Sequence, residues 1–298
     1  MHRSVNDRTM VRMFGQAELL RWGRNNLRDL PWRRTRDPWA IAVAEFMLQQ
    51  TQVDRVVPKY HAFLAAYPTL SDCASAPLRD VLVLWQGLGY PRRAKSLHDL
   101  SQTCVAQFGG LFPTNRLDLL RLPGVGPYTA RAIGAFALEQ SDAAVVDTNI
   151  GRVLARQVGH SLQPREAQSL ADSLMPGDQP WLWNQSIMEL GAVICRSRAP
   201  QCGACPVAST CQWLQYGGPD PAIGSAGVSS KQSKFAGSDR QGRGKFLLAV
   251  ELAPVAPMGV AAAAGWPDDV DRSARVVATL MADGLIATDE IGRYILPS

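Results

Sequence analysis

Four cysteines within one 17-residue stretch, Cys195, Cys202, Cys205 and Cys211, constrain the folding of this chain more than any other feature. Their spacing is C-x6-C-x2-C-x5-C, and thiolates this close along the chain can close round one metal centre. Structural zinc commonly uses two separated C-x2-C knuckles and only one is present, so spacing alone leaves zinc and an iron–sulfur cluster open. Met1 to Phe14 carries charges but no apolar h-region, and no stretch approaches the roughly 18 apolar residues of a membrane span. The expectation is a cytoplasmic protein, where thiols stay reduced and clustered cysteines indicate metal rather than disulfides. Arg196 and Arg198 lie between the first two cysteines, where a rigid loop would present them to phosphate; the plainer alternative is a solvated pair. Cys73 and Cys104 stand apart and read as buried small hydrophobes.

Up to residue 217 the chain reads as a succession of amphipathic helices. Apolar residues recur at three and four spacings in Val11–Leu27, Trp39–Gln50, Leu78–Trp85, Ala94–Phe108 and Tyr128–Leu138, with further helix expected at Pro164–Leu174 and Trp183–Val193. Gly217 to Gly244 is rich in Gly, Ser, Ala and Pro, which describes a flexible linker. Beyond it, helices are expected at Phe246–Leu252, Val260–Ala264 and Asp271–Ala282, followed by a hairpin pairing Leu285–Thr288 with Arg293–Leu296. The division is therefore residues 1–217, including the cysteine loop 195–211, a linker 218–244, and a small winged-helix-like module 245–298. The excess of 31 basic over 26 acidic residues fits a polyanion partner without demanding one.

Three further constellations carry chemistry. Leu122-Pro-Gly-Val-Gly126 sits between two helical stretches, and Pro127 opens the second. Gly124 and Gly126 flank Val125, so a tight turn there would expose backbone amides at a positive helix end, a site for phosphate. Glu45 is the one charge in the apolar run Ile41–Leu48. Burial would poise such a carboxyl as a general acid, whereas a narrow polar stripe with Gln49 and Gln52 would leave it ordinary. Gln49, Gln50 and Thr51 follow it as amides and a hydroxyl able to reach base edges. Asp147, between the apolar run Ala143–Val146 and Thr148-Asn149, suits a helix N-cap. It would also serve as a second carboxylate that separates the acid from the electrostatic stabiliser.

In order along the chain, these residues resemble the MutY-type adenine DNA glycosylases of the helix-hairpin-helix iron–sulfur superfamily. The resemblance runs from about Leu20 to Leu214. It includes Leu30-Pro-Trp-Arg33, Ala44–Val53, Trp85-Gln-Gly-Leu-Gly-Tyr90, Leu122–Ala130, Val146-Asp-Thr-Asn149, Met188-Glu-Leu-Gly191 and the cysteine quartet. It implies a mainly α, two-lobed helix-hairpin-helix core with a 4Fe–4S cluster on Cys195, Cys202, Cys205 and Cys211. Glu45 would protonate adenine at N7, Asp147 would stabilise the oxocarbenium-like sugar, and Asn149 would help orient it. Gln50 and Tyr90 would enter the base stack, and Arg33 and Glu189 would line the adenine pocket. Tyr128 stands where bifunctional relatives carry a Schiff-base lysine, which implies simple hydrolysis by a monofunctional enzyme. The implied partner is double-stranded DNA with a mismatched or oxidised pair, bound by a monomer at the nucleoid.

Nothing after residue 217 resembles the Nudix-related domain with which full-length members recognise 8-oxoguanine. The alternatives are a T/G- or U/G-mismatch glycosylase on the same scaffold, a non-catalytic lesion binder, and an adaptor role for the C-terminal module. The acidic residues Asp268, Asp269, Asp271, Asp283, Asp289 and Glu290 argue against independent DNA binding by that module.

Overall fold

Helices account for most of the described chain. The computed structural model describes residues 14–225 and 234–298. In chain order these hold α1 (Gln16–Asn26), α2 (Pro38–Leu48), α3 (Val53–Ala66), α4 (Leu70–Ser75), α5 (Leu78–Trp85) and α6 (Arg92–Phe108). They continue with α7 (Arg116–Leu119), α8 (Pro127–Phe136), α9 (Thr148–Val158), α10 (Pro164–Leu174), α11 (Pro180–Val193) and α12 (Gln212–Tyr216). The C-terminal part holds α13 (Asp239–Leu252), α14 (Val260–Ala264), α15 (Val270–Ala282) and the strands β1 (Ala287–Thr288) and β2 (Tyr294–Ile295). No helix among the described residues is long and apolar enough to cross a membrane.

Two units can be distinguished, one of residues 1–41, 114–120 and 126–230, the other of residues 42–113, 121–125 and 231–298. In the first, α11 packs on α1 and on α9, and α9 also meets α10 and α12. Its core gathers Leu19, Ile133, Leu154, Trp183 and Leu190, each almost wholly shielded from water. In the second, α6 packs against α4 and α5, burying Phe63, Val81, Leu97, Leu100 and both isolated cysteines, Cys73 and Cys104. Burial pushes both of these thiols up to about 11, so they behave as the small hydrophobes expected of them.

The C-terminal module has the expected three helices and hairpin. α13, α14 and α15 pack pairwise, and Phe246, Leu280 and Leu285 are buried among them. β1 and β2 pair antiparallel, Ala287 with Ile295 and Thr288 with Tyr294, and Val255 adds a single bridge to Tyr294. At the end of α15, Gly284 takes a φ of 66° and Leu285 N–H returns to Leu280 O at 3.0 Å, a glycine stop to the helix.

Two expectations are corrected. The first helix of the module begins at Asp239 rather than Phe246, with the Ser238 side chain accepting from Gln241 N–H. Gly242 and Gly244 weaken the helical signal there, yet Trp266 occupies the space that a Cβ on Gly242 would need. The start of the presumed linker is also tied down. Asp220 accepts from Arg156 Nε and Nη2, at 3.0 and 2.6 Å, and buried Ser225 accepts from Leu162 N–H. The linker's residues 226–233, like 1–13, lie outside the described residues.

Candidate active site and cysteine loop

Asp147 caps α9, as its position after an apolar run predicts. One carboxylate oxygen accepts from Ile150 N–H at 2.7 Å and the other from Asn149 Nδ2 at 3.0 Å. Burial pushes this carboxyl upward; the bonds from Ile150 and Asn149 and the charge of Arg152 pull the other way, and burial prevails. Capping and a chemical role are therefore not competing readings, because the cap geometry is what orients the group.

Asn149 is itself held. Arg152 donates to its Oδ1 at 2.8 Å, to Gly191 O at 2.6 Å and to Cys195 O at 2.7 Å. A Cβ on Gly191 would lie 2.7 Å from Asn149 Cβ and 2.9 Å from its carbonyl oxygen. Only glycine lets α11 approach α9 so closely, which gives the Met188–Gly191 motif its physical content. Arg152 thus links the capped Asp147–Asn149 pair to the first cysteine.

Also in the first unit, Glu189 is sealed from solvent, with its side chain 0% exposed. Arg28 holds one oxygen at 2.5 Å and Arg33 the other at 2.7 Å, while Arg33 Nε reaches Gln185 Oε1 at 2.7 Å. Burial works to raise the Glu189 carboxyl, but the two guanidinium groups overcome it and leave the group below its ordinary value.

The hairpin has the anticipated form. Leu122 and Val125 are buried anchors, and Val125 N–H closes the turn on Leu122 O at 3.1 Å. Gly124 has a φ of 75°, and a Cβ there would meet Ser96 and Phe46 at 2.7 and 2.8 Å, so no other residue fits the turn. Pro127 opens α8 behind Gly126, whose neighbouring amides lie at the helix start, where they have no partner within the helix. Tyr128 follows, half-buried in the first turn of α8.

Glu45 belongs to the second unit and is buried, as is every residue from Trp39 to Met47. The polar-stripe alternative fails, because Gln52 is exposed while Glu45 is enclosed. Two loops follow in the same unit. Gln50, exposed, has a φ of 56°, and Tyr90 one of 49°, left-handed values uncommon for such residues. Arg93, buried in α6, holds both loops. It donates to Phe46 O, Met47 O and Gln49 O on one side, to Leu88 O and Gly89 O on the other, and to Thr51 Oγ1. Desolvation lowers its pKa to about 10.

The four cysteines come together around a void of about 20 Å³ otherwise lined mainly by apolar side chains, among them Val153, Leu190, Ile194, Val207 and Leu214. Burial raises the thiols of Cys195, Cys205 and Cys211, and their mutual repulsion adds to it. Arg156 donates to Cys195 Sγ at 3.3 Å. Among the described residues, no three His, Cys, Asp or Glu side chains close on a single metal ion. Arg196 and Arg198 are both exposed on this loop.

Sequence reasoning missed Arg28, Gln185, Arg152 and Arg93. Each makes its decisive contacts across a large separation in the chain. The periodicity of α9 does place Arg152 and Arg156 one turn apart, facing the cysteines, which was the one signal available.

Residues 43–176 match the model of the HhH-GPD superfamily base excision DNA repair proteins. The chain is 40% identical over 289 residues to the adenine DNA glycosylase of Mycolicibacterium smegmatis, covering 94% of this chain and 95% of that one. It is 41% identical over 219 residues to the adenine DNA glycosylase of Homo sapiens, covering 67% of this chain and 39% of the human one. Among solved structures, a thermostable thymine-DNA glycosylase superposes with a TM-score of 0.64 at 30% identity, over 70% of this chain and 98% of that one. By sequence shared along nearly its whole length with such a relative, the chain belongs to the adenine DNA glycosylases, within the helix-hairpin-helix base-excision repair superfamily.

Proposed function

We propose that this enzyme removes adenine paired with 8-oxoguanine or guanine in double-stranded DNA, acting as a monofunctional monomer at the nucleoid in the cytoplasm. The observation that carries the reading is the contrast between two carboxyls. Glu45 is enclosed in a wholly buried helical stretch, whereas Asp147 is held by two donors at a helix start. Environments that differ in this way separate an acid from a charge stabiliser. Glu45 delivers a proton to adenine N7, Asp147 stabilises the developing positive sugar, and Asn149 holds Asp147 in place. Tyr128 offers a phenol, which cannot form an imine, so water completes the reaction and an abasic site remains. Gln49, Gln50, Thr51 and Tyr90 read and enter the base stack. Leu122, Gly124, Val125 and Gly126 form the phosphate-gripping turn. Arg33 and Glu189, each engaged with the other, form the supporting wall of the adenine pocket.

Cys195, Cys202, Cys205 and Cys211 fit a 4Fe–4S cluster. They line one pocket, and burial together with neighbouring cysteines raises the thiols of Cys195, Cys205 and Cys211, which a compensating cationic centre would relieve. When bound, the cluster supplies rigidity rather than reaction chemistry, fixing the loop that presents Arg196 and Arg198 to phosphate.

Single-turnover assays on duplexes carrying A:8-oxoguanine, A:G, T:G and U:G test the whole reading. Adenine release from the first two, without a borohydride-trapped adduct, is expected. Release of thymine or uracil alone would establish the rival mismatch activity, and a trapped adduct would overturn the hydrolytic route.

A further inference from the structure

The second unit contains a cavity of about 470 Å³ whose walls include Gln50, the loop ending in Gly89 and Tyr90, and Phe235, Arg240 and Leu247 of the C-terminal segment. Two of its wall residues, Gln50 and Tyr90, sit in left-handed backbone wells that such residues keep only where the surroundings over-determine them. Arg93 and the Trp85 indole, the latter bonded to Gly89 O at 3.2 Å, fix the main chain of the Tyr90 loop. Arg93 also lies over the face of the Tyr90 ring, 5.5 Å from its centroid, which leaves the hydroxyl end of the phenol. That end is met from the C-terminal module, where Arg240 Nη1 donates to Tyr90 Oη at 2.9 Å.

Arg240 is the second residue of α13, half-buried, and its helix is tied down beside α6. The Asp283 carboxylate pairs with Arg243 of α13 at 2.5 Å and with Arg92 of α6 at 3.2 Å. The guanidinium therefore reaches Tyr90 from an anchored element, not from a loose tail. A phenolic oxygen that accepts from Arg240 keeps its own O–H free to point elsewhere as a donor. 8-Oxoguanine offers one more carbonyl acceptor than guanine does. The relative from Mycolicibacterium smegmatis aligns over 95% of its length, so the C-terminal part belongs to that protein too, whereas the match to the human enzyme covers 67% of this chain.

We propose that Arg240 is a positioning residue: it fixes the Tyr90 hydroxyl so that the C-terminal module takes part in distinguishing 8-oxoguanine from guanine opposite the target adenine. This rests on the reading of Tyr90 as a stack-entering residue.

The test is a double-mutant cycle on the full-length protein. Affinity is read by fluorescence anisotropy on duplexes carrying an uncleavable abasic-site analogue opposite 8-oxoguanine or guanine. Tyr90→Phe and Arg240→Ala should each reduce the preference for 8-oxoguanine by roughly threefold to tenfold, the range of one hydrogen bond. The double variant should lose no more than either single one, because both remove the same contact. Arg240→Met, which keeps the stem but donates nothing, should lose the preference as Arg240→Ala does, which a purely structural role for the stem would not explain. Tyr90→Phe conserves shape, so the cycle stands even where Arg240→Ala lowers Tm. Independent, multiplicative losses, or an unchanged preference in Arg240→Ala, would overturn the inference. The underlying function fails separately, by absence of adenine release from the wild type in single-turnover assays.

Discussion

Each unit contains a buried arginine next to a predicted functional segment, and the two are compensated in opposite ways. Arg33 in the first unit shares a fully buried carboxylate with Arg28, and the three groups form a charge-paired cluster. Arg93 in the second meets six acceptors, all of them neutral, from two loops. A carboxylate partner ties stability to protonation and to long-range charge, so the first arrangement preserves an electrostatic environment. Carbonyl partners are insensitive to pH and tie the chain's shape to one side chain, so the second works as a mechanical clamp. The difference follows the chemistry proposed for each side: a charge-stabilising Asp147 in one unit, and base-reading loops in strained backbone in the other.

The comparison breaks first where charge does the chemistry. Asp147→Asn keeps a competent helix cap but removes the negative charge, so folding should persist while single-turnover adenine release falls by roughly 10²- to 10³-fold. A stable variant with near-normal rate would detach Asp147 from the reaction. Glu189→Gln is expected to cost about 3 kcal/mol in denaturant unfolding, because it leaves Arg33 buried without its partner. A loss below about 1 kcal/mol would mean that the pair is not the support described. Arg93→Lys cannot reach two loops with one ammonium. About 2 kcal/mol of stability should be lost, with faster hydrogen exchange at residues 49–51 and 87–90 as the specific sign of a released clamp. Uniform protection across those residues would contradict it.

The smallest effect separates the two modes by pH. The Glu189 carboxyl lies below its ordinary value of 4.5, so its contribution is fully present above that pH and fades as pH falls through the lowered folded value. The stability gap between wild type and Glu189→Gln should therefore be widest near neutrality and narrow in acid. The gap for Arg93→Lys should stay flat over the same range. A Glu189 gap that widened in acid would reverse the sign of the account.

Much of this architecture is legible in local patterns. Leu78–Trp85, Pro164–Leu174 and Val260–Ala264 are helices with the bounds that their apolar spacing sets. The cap at Asp147, the Gly124 turn and the cysteine quartet are also local, because each is made within a few residues of itself. α3 escapes such reading because Pro58 lies inside it, and proline ordinarily signals a break. α13 escapes because two glycines and a Gly/Ser-rich approach mimic a linker. The arginines that hold these segments are invisible for a different reason. Arg28 meets Glu189 across 161 positions, Arg93 meets Phe46 across 47, and Arg240 meets Tyr90 across 150. No periodicity encodes which carbonyl or carboxylate a long side chain will find. Glu45 falls between these cases: its apolar surroundings are visible in sequence, but only tertiary packing shows that no polar face accompanies it.

The central claim is that Glu45 supplies the proton that lets adenine leave. The most direct measurement is single-turnover adenine release from an A:8-oxoguanine duplex by wild type and by Glu45→Gln, with duplex affinity measured alongside. The amide conserves size but cannot give up a proton, so the rate should fall by roughly 10²- to 10⁴-fold at unchanged affinity. Release by Glu45→Gln at the wild-type rate would contradict the account.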